Sequence, residues 1–188
     1  WLSELGGWEN EAVVERFERY VRKVVEALKD YVTYWITINE PNLLVTFAYK
    51  LGIFPPGKQD IQTALGVQVN LVRAHAAAYH AIHDLQSTAQ VGLAHHYVSL
   101  TPAVNWSPFD SVITKLLKSL VDDSLPKCLQ DGVLHTPIKR VSIPQAKNTQ
   151  DFFGLNYYMR QMVAFDLTKP GELFGRRFFR AGSTVSQN

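Results

Sequence analysis

The stretch from Tyr31 to Pro41, YVTYWITINEP, decides which fold this sequence can adopt. Residues 31–38 are aromatic or β-branched almost throughout, a composition that favours a strand and disfavours a helix. A near-continuous apolar run predicts burial on both faces, which is typical of strands in a parallel sheet. Polar Asn39 and Glu40 follow at once, and the proline ends the strand. We therefore predict a buried parallel strand that ends in a carboxylate.

The segments around this strand alternate between helix and strand. Helices are predicted over residues 11–29, 43–50 and 60–86, and a fourth helix begins at Pro108 after the N-cap Ser107. Strands are predicted over residues 89–97 and 152–158, and residues 161–164 are a candidate continuation of the second of these. We expect residues 126–150 to be a long, irregular, polar excursion. Strand–helix–strand–helix–strand order is typical of α/β proteins, and three strands are too few for an eight-stranded barrel of about 250 residues. We therefore expect residues 1–188 to form one partial barrel domain, the middle of a (β/α)8 barrel, incomplete at both ends.

Composition excludes several classes of protein. The 188 residues are 46% hydrophobic and 19% charged, which is typical of a globular core, and 19 basic against 17 acidic residues give a net charge of +2. This balance gives no electrostatic reason to expect a nucleic acid or an anionic membrane as partner. The single cysteine excludes an internal disulfide, and no apolar run approaches the ~18 residues of a membrane span. With no signal peptide at the start, we expect a soluble, cytoplasmic chain.

Functional side chains of parallel α/β folds gather where strands end, which singles out three places, and two of them carry a carboxylate or an amide. Glu40 follows the first strand, and a carboxylate there is costly to bury unless it is paired or functional. Asn39 beside it can both donate and accept hydrogen bonds, as a sugar hydroxyl requires. Asn156 and Tyr158 end the third strand, and because they are two residues apart they share one side of it. The alternatives remain open that Glu40 only caps the next helix and that Tyr157 and Tyr158 are both packing aromatics.

Histidine and cysteine give no sign of a metal or a thiol nucleophile. His95 and His96 end the second strand, where adjacent side chains point to opposite faces and cannot chelate one metal together. Three histidines lie on the long helix without metalloprotease spacing, and we expect them to be structural: His75, His80 and His83. Cys128 has no base next to it in sequence. We expect no metal and no other cofactor, whereas either strand histidine could line a pocket.

These residues together resemble the glycoside hydrolase family 1 β-glycosidases. The run 37–41 (TINEP) is similar to that family's acid/base signature at the end of barrel strand four, and 6–10 (GGWEN) to the loop before it. The run 153–158 (FGLNYY) is similar to the strand-six motif, and Pro56-Gly57 and the alanine-rich helix with His75 also fit. The resemblance covers nearly the whole chain and implies that it holds roughly strands four to six of the barrel, with their helices.

The resemblance also implies roles for four residues. Glu40 would be the general acid/base, and Asn39 would bind the hydroxyl next to the anomeric carbon. Asn156 would line the same sugar subsite, and Tyr158 would hydrogen-bond the nucleophilic carboxylate. The implied reaction is hydrolysis of β-linked glucosides or galactosides by a two-carboxylate double displacement with net retention.

The sequence departs from the family pattern at the second carboxylate. The family's nucleophile lies in a Glu-Asn-Gly motif near strand seven, and that tripeptide does not occur here. Other sugar-binding residues of the family would precede Trp1 or follow Asn188. We therefore expect the nucleophile to lie outside this chain, the remainder of the barrel to be needed, and the isolated 188 residues to be inactive.

Two other hypotheses stay open at this point. One is a non-catalytic, glycosidase-like barrel that binds sugars or protein partners, and the residue at the strand-seven position would discriminate it from an enzyme. The other is a different barrel glycosidase that shares the Asn-Glu pair, against which the run 153–158 counts.

Overall fold

The computed structural model describes residues 3–121, 123–136 and 139–183. Its contacts fall into two compact units, Trp1–His96 with Ser124–Asn156 and Tyr97–Asp123 with Tyr157–Asn188.

Helices and strands alternate as the sequence predicts as far as residue 102, after which the described residues form two helices and then four strands. The helices are α1 (Ala12–Leu28), α2 (Pro41–Leu44), which continues as a π-helix (Val45–Lys50), α3 (Ile61–Leu85), α4 (Pro108–Val121) and α5 (Ser124–Asp131). The strands are β1 (Tyr34–Asn39), β2 (Gln90–Pro102), β3 (Val133–His135), β4 (Arg140–Ser142), β5 (Phe152–Phe165) and β6 (Gly175–Phe178). None of the described helices is both long and apolar enough to cross a membrane.

The first unit is built on a sheet in the order β1-β2-β5. β1 and β2 are parallel and pair from Tyr34 opposite Gln90, but their register shifts between Ile36 and Asn39. β5 approaches the other edge of β2 so closely that a Cβ on Gly154 would lie 2.5 Å from the carbonyl oxygen of Leu93. Only glycine fits at that position, which explains its place in the predicted strand.

Helices α1 and α3 cover one face of this sheet. Small side chains let α3 lie close to the strands, and four of its alanines are completely buried: Ala74, Ala76, Ala78 and Ala81. The helix starts as capping rules predict, since the Asp60 carboxylate accepts the Thr63 N–H at 2.6 Å. Asn10 likewise accepts the Ala12 N–H at 3.0 Å and starts α1.

Two expectations about this unit are wrong. β1 is not buried on both faces, since the side chains of Tyr34 and Ile36 lie on its open face and are 67% and 55% exposed. The reason is that helices cover only one side of the strand, whereas in a closed barrel the other side is filled by the remaining strands.

The second error concerns residues 126–150, because the described part of this range, 126–136 and 139–150, is mostly in regular elements rather than irregular. They contain most of α5 and the antiparallel hairpin β3–β4. Cys128 and Leu134 are completely buried and join a core cluster with Leu93 of β2. The apolar side chains of this excursion are few, but they are spaced so that one helix face and one strand face pack on α3.

The second unit combines α4 with the far ends of β2 and β5 and with β6, a strand that the sequence did not predict. β5 and β6 pair antiparallel from Met162 opposite Phe178. The helix begins after Ser107, whose hydroxyl accepts the Asp110 N–H at 3.2 Å, as predicted. The core of this unit contains five residues: Val98, Leu100, Ile113, Leu117 and Val163.

Candidate active site

Glu40 stands directly after β1 in a strained backbone conformation. Its φ of 48° and ψ of 53° are left-handed, which costs a non-glycine residue about 1–3 kcal/mol and persists only where neighbours hold it. The Glu40 N–H donates to the carbonyl of Ala94 at 2.8 Å, and its own carbonyl accepts the Leu43 N–H at 3.0 Å. The middle of β2 and the start of α2 therefore hold this turn.

The turn places the Glu40 side chain beside two amides. The residue is only 8% exposed, and its Oε1 accepts a hydrogen bond of 2.8 Å from Nδ2 of Asn156. The same amide nitrogen donates to Oδ1 of Asn39 at 3.0 Å. The alternative that the glutamate only caps the following helix is wrong, because its side chain makes no capping bond.

His96 also faces this carboxylate. Its Nδ1 lies 3.6 Å from Oε1 of Glu40, which is within ion-pair range but too long for a hydrogen bond. Asn42 donates to the backbone carbonyl of His96 at 3.1 Å and so joins α2 to β2. The sequence singled this histidine out only as a pocket candidate at a strand end, but β2 continues to Pro102, so His96 lies within the strand.

His95 points to the opposite face of β2, as strand alternation predicts. Its ring stacks on Phe153 with centroids 4.4 Å apart, and its Nε2 lies 3.3 Å from Oε1 of Gln150. Burial lowers the pKa of His95 below its usual value, although the contact with Gln150 opposes this. This imidazole is therefore part of the packing around the sheet.

The helical histidine His75 is completely buried between the strands of the site. Nδ1 lies 2.6 Å from Oγ1 of Thr37, and Nε2 lies 2.7 Å from the carbonyl oxygen of Thr149. Burial lowers its pKa to about 4, so the ring is neutral at neutral pH.

Tyr158 belongs to the second unit, where its side chain is 63% exposed. The structure thus brings three of the four predicted site residues together in the first unit, namely Glu40, Asn39 and Asn156. The role expected for the tyrosine stays a prediction.

Metal and thiol chemistry find no support in the described part of the chain. No group of three His, Cys, Asp or Glu side chains there could hold a metal ion. Burial, together with the charge of Asp131, raises the pKa of Cys128 to about 12, which keeps the thiol protonated and unreactive.

The arrangement suits proton transfer. The hydrogen bond from Asn156 and the contact with His96 both fall on Oε1 of Glu40. An oxygen that accepts an N–H is the poorer place for a proton, so the acid form of this carboxyl carries its hydrogen on Oε2. One oxygen is anchored while the other can give up and take back a proton.

Comparisons with known proteins find relatives of this chain. The model of the family described as glycosyl hydrolase family 1 matches residues 1–173. The chain is 30% identical to the cytosolic beta-glucosidase of Homo sapiens over 92% of the chain and 42% of that protein. It is 35% identical to the lactase/phlorizin hydrolase of Homo sapiens over 88% of the chain and 10% of that protein.

Solved structures show the same likeness. The chain is similar to a beta-glycosidase from Pyrococcus horikoshii, with a TM-score of 0.85 and 26% identity over 100% of the chain and 42% of that protein. It is equally similar, at 0.85 and 25% identity over 96% of the chain and 43% of that protein, to a Thermotoga maritima family 1 glycoside hydrolase complexed with a cyclophellitol analogue. These neighbours are (β/α)8 barrels, which confirms the predicted fold class. The chain spans about two fifths of the length of the beta-glucosidases it matches.

Proposed function

The chain belongs to glycosyl hydrolase family 1, and from this premise we propose that it carries the acid/base half of a retaining β-glycosidase acting on β-linked glucosides or galactosides. The observation that supports the proposal most is the hydrogen bond of 2.8 Å from Asn156 to the buried carboxylate of Glu40. A carboxylate that is held by one oxygen at a strand end is suited to exchange a proton with a bound substrate.

In the first step Glu40 is the acid. Its Oε2 proton passes to the glycosidic oxygen as the bond from that oxygen to the anomeric carbon breaks, and the leaving group departs as an alcohol. A second carboxylate, about 5–5.5 Å away in retaining enzymes, attacks the anomeric carbon and forms a glycosyl ester. We propose that this nucleophile lies outside the 188 residues.

In the second step the same residue is the base. Ionised Glu40 takes a proton from water while the water oxygen attacks the anomeric carbon and the ester bond breaks. Two inversions give net retention, and the nucleophile is released as a carboxylate. Because Oε1 is held by Asn156, Glu40 can act as the acid in the first step and as the base in the second without moving.

The other site residues position the sugar and the nucleophile. Asn39, whose Oδ1 lies 3.0 Å from Nδ2 of Asn156, would bind the hydroxyl next to the anomeric carbon, and Asn156 would line the same subsite. Tyr158 would hydrogen-bond the nucleophilic carboxylate. His96 adds an imidazole 3.6 Å from the carboxylate, a neighbour that the sequence did not assign to this role.

Three further parts of the proposal follow from the family and the relatives. A β-glucoside substrate agrees with the names of the cytosolic beta-glucosidase and of the Thermotoga neapolitana 1,4-beta-D-glucan glucohydrolase. A cytoplasmic location agrees with the first of these names. We expect the 188 residues alone to be inactive, because a double displacement needs both carboxylates.

The test is Glu40→Gln in the full-length protein that contains this chain. Glutamine keeps the acceptor for Asn156 but cannot donate the proton, so hydrolysis of a β-glucoside with a poor leaving group should fall about 10²–10⁴-fold. A dinitrophenyl β-glucoside needs no acid, and azide should restore its turnover by attacking the glycosyl ester in place of base-activated water.

Glu15→Gln is the matched control, because it makes the same change on the exposed face of α1. It should leave both rates unchanged. Undiminished cleavage of the poor leaving group by Glu40→Gln would contradict the acid/base role, and wild-type protein inert towards every β-glycoside offered would contradict the proposed activity.

A further inference from the structure

The proposed mechanism does not use His75, yet this imidazole joins the two strands that carry the site. One ring nitrogen contacts Thr37 of β1 at 2.6 Å, and the other contacts the carbonyl of Thr149 at 2.7 Å, just before β5. Glu40 follows the first contact by three residues, and Asn156 lies on the strand after the second.

The partners fix which nitrogen carries the hydrogen. The Thr149 carbonyl can only accept, so the neutral ring must carry its hydrogen on Nε2. Nδ1 is then an acceptor, and the hydroxyl of Thr37 donates to it. Among the described residues, a second acceptor near this hydroxyl is the carbonyl of Gly92, which is more distant at 3.4 Å.

Thr37 lies where the pairing of β1 with β2 is interrupted. The register is regular up to Ile36 opposite Gly92 and resumes with Asn39 opposite Ala94, so residues 37 and 38 form a bulge. Bulges near active sites redirect side chains, and here the chain enters the left-handed turn of Glu40 immediately afterwards. A bulge interrupts the backbone hydrogen bonds between the two strands. The side-chain hydrogen bond from Thr37 to His75 therefore holds β1 at a point where those backbone bonds are missing.

We propose that His75 is a positioning residue that holds the bulge through Thr37 and thereby aims Glu40 at Asn156. This inference rests on the function proposed above, because it concerns the same carboxylate. The ring touches neither substrate nor reacting atoms. Its effect is to keep the carboxylate in the geometry in which Oε1 is anchored and Oε2 is available.

Three substitutions separate the two hydrogen bonds in the full-length protein. Thr37→Val keeps the shape of the side chain and removes the hydroxyl. His75→Asn places an amide oxygen near the position of Nδ1 and so keeps an acceptor for Thr37. His75→Gln places its amide near Nε2, which keeps the bond to Thr149 but removes that acceptor.

The first readout is kcat/KM per active site for two aryl β-glucosides. With a poor leaving group, Thr37→Val and His75→Gln should lose about 10-fold or more, since displacement of a catalytic group by about 1 Å can cost 10²-fold. With a dinitrophenyl leaving group, which needs no acid, the loss should stay within about twofold. His75→Asn should retain more of the acid-dependent rate than His75→Gln.

Tyr79→Phe is the control for simple loss of a hydrogen bond from α3. Its hydroxyl donates to Asp151 at 2.7 Å, one helical turn further on and away from the bulge. It should lower both rates equally or not at all. If Thr37→Val also lowered both rates equally, His75 would have a structural role only and the proposal would be overturned.

The second readout is the crystal structure of Thr37→Val. The distance from Glu40 Oε1 to Asn156 Nδ2 should increase beyond 3.5 Å, or the glutamate should leave its left-handed conformation. An unchanged site would overturn the proposal. Because this readout needs no turnover, it judges the positioning role even if the wild-type protein cleaves no glycoside, which would refute the proposed function instead.

Discussion

Replacing Gly154 by alanine should both destabilise the protein and disturb the site. The new Cβ would lie 2.5 Å from the Leu93 carbonyl oxygen and 3.1 Å from Cα of Ala94, whereas ordinary contacts begin at 3.4 Å. Both neighbours are backbone and cannot rotate away, so β2 and β5 must separate by about 0.9 Å at this point. Overpacking of this kind typically costs about 1–3 kcal/mol, and we expect the upper end of that range.

The same separation reaches the catalytic groups. Asn156 follows Gly154 by two residues on the same face of β5, and the Ala94 carbonyl holds the backbone of Glu40. Moving the strands apart should therefore lengthen the bond of 2.8 Å between Asn156 and the carboxylate. Hydrolysis of a β-glucoside with a poor leaving group should fall by more than the loss of folded protein explains.

Urea and thermal unfolding of the full-length variant measure the first effect, and rates per active site measure the second. Gly66→Ala is the matched control, since it makes the same change in α3 where no atom lies within 4 Å. It should stabilise the protein by about 0.5–1 kcal/mol. Equal unfolding midpoints for wild type and Gly154→Ala would refute the reasoning, because they would mean that the strands are not in contact at this glycine.

Two further predictions concern buried groups. His75 has a pKa of about 4 in the folded protein, against 6.5 in the unfolded state. Between these two pH values the unfolded state therefore binds more protons than the folded state. The free energy of unfolding should fall by up to about 3 kcal/mol as the pH drops from 6.5 to 4. Comparison of urea unfolding at both pH values should show this slope in wild type and its reduction in His75→Gln; equal slopes would contradict it. Cys128, buried with its pKa raised to about 12, should resist a thiol reagent at neutral pH in the folded protein and react after unfolding, as mapped by peptide mass. Rapid labelling of the native protein would show that α5 opens readily.

The sequence predicts the position of the carboxylate but not its geometry. An apolar β-branched run that ends in polar residues identifies the strand terminus at Glu40. Asn156 lies within β5, which continues to Phe165, and only the family resemblance implied that it shares the site of Glu40. The bulge between Ile36 and Asn39 and the left-handed turn after it depend on contacts with Ala94 and with α3. Such long-range contacts leave no local pattern.

Burial was predicted less well than strand position. The composition of β1 indicates two covered faces, yet Tyr34 and Ile36 are exposed because helices cover only one side of this strand. Conversely, residues 126–150 are polar on average but include a few apolar side chains that are spaced so as to face the core. Cys128 and Leu134 among them are completely buried. Average composition therefore fails where a short element contributes only two or three side chains to a core.

The open face of β1 also bears on how the polypeptide acquires its native state. Tyr34 and Ile36 present to water an apolar surface that a complete barrel would enclose. Exposed apolar surface of this kind favours self-association. Expressed on their own, the 188 residues should therefore accumulate as inclusion bodies.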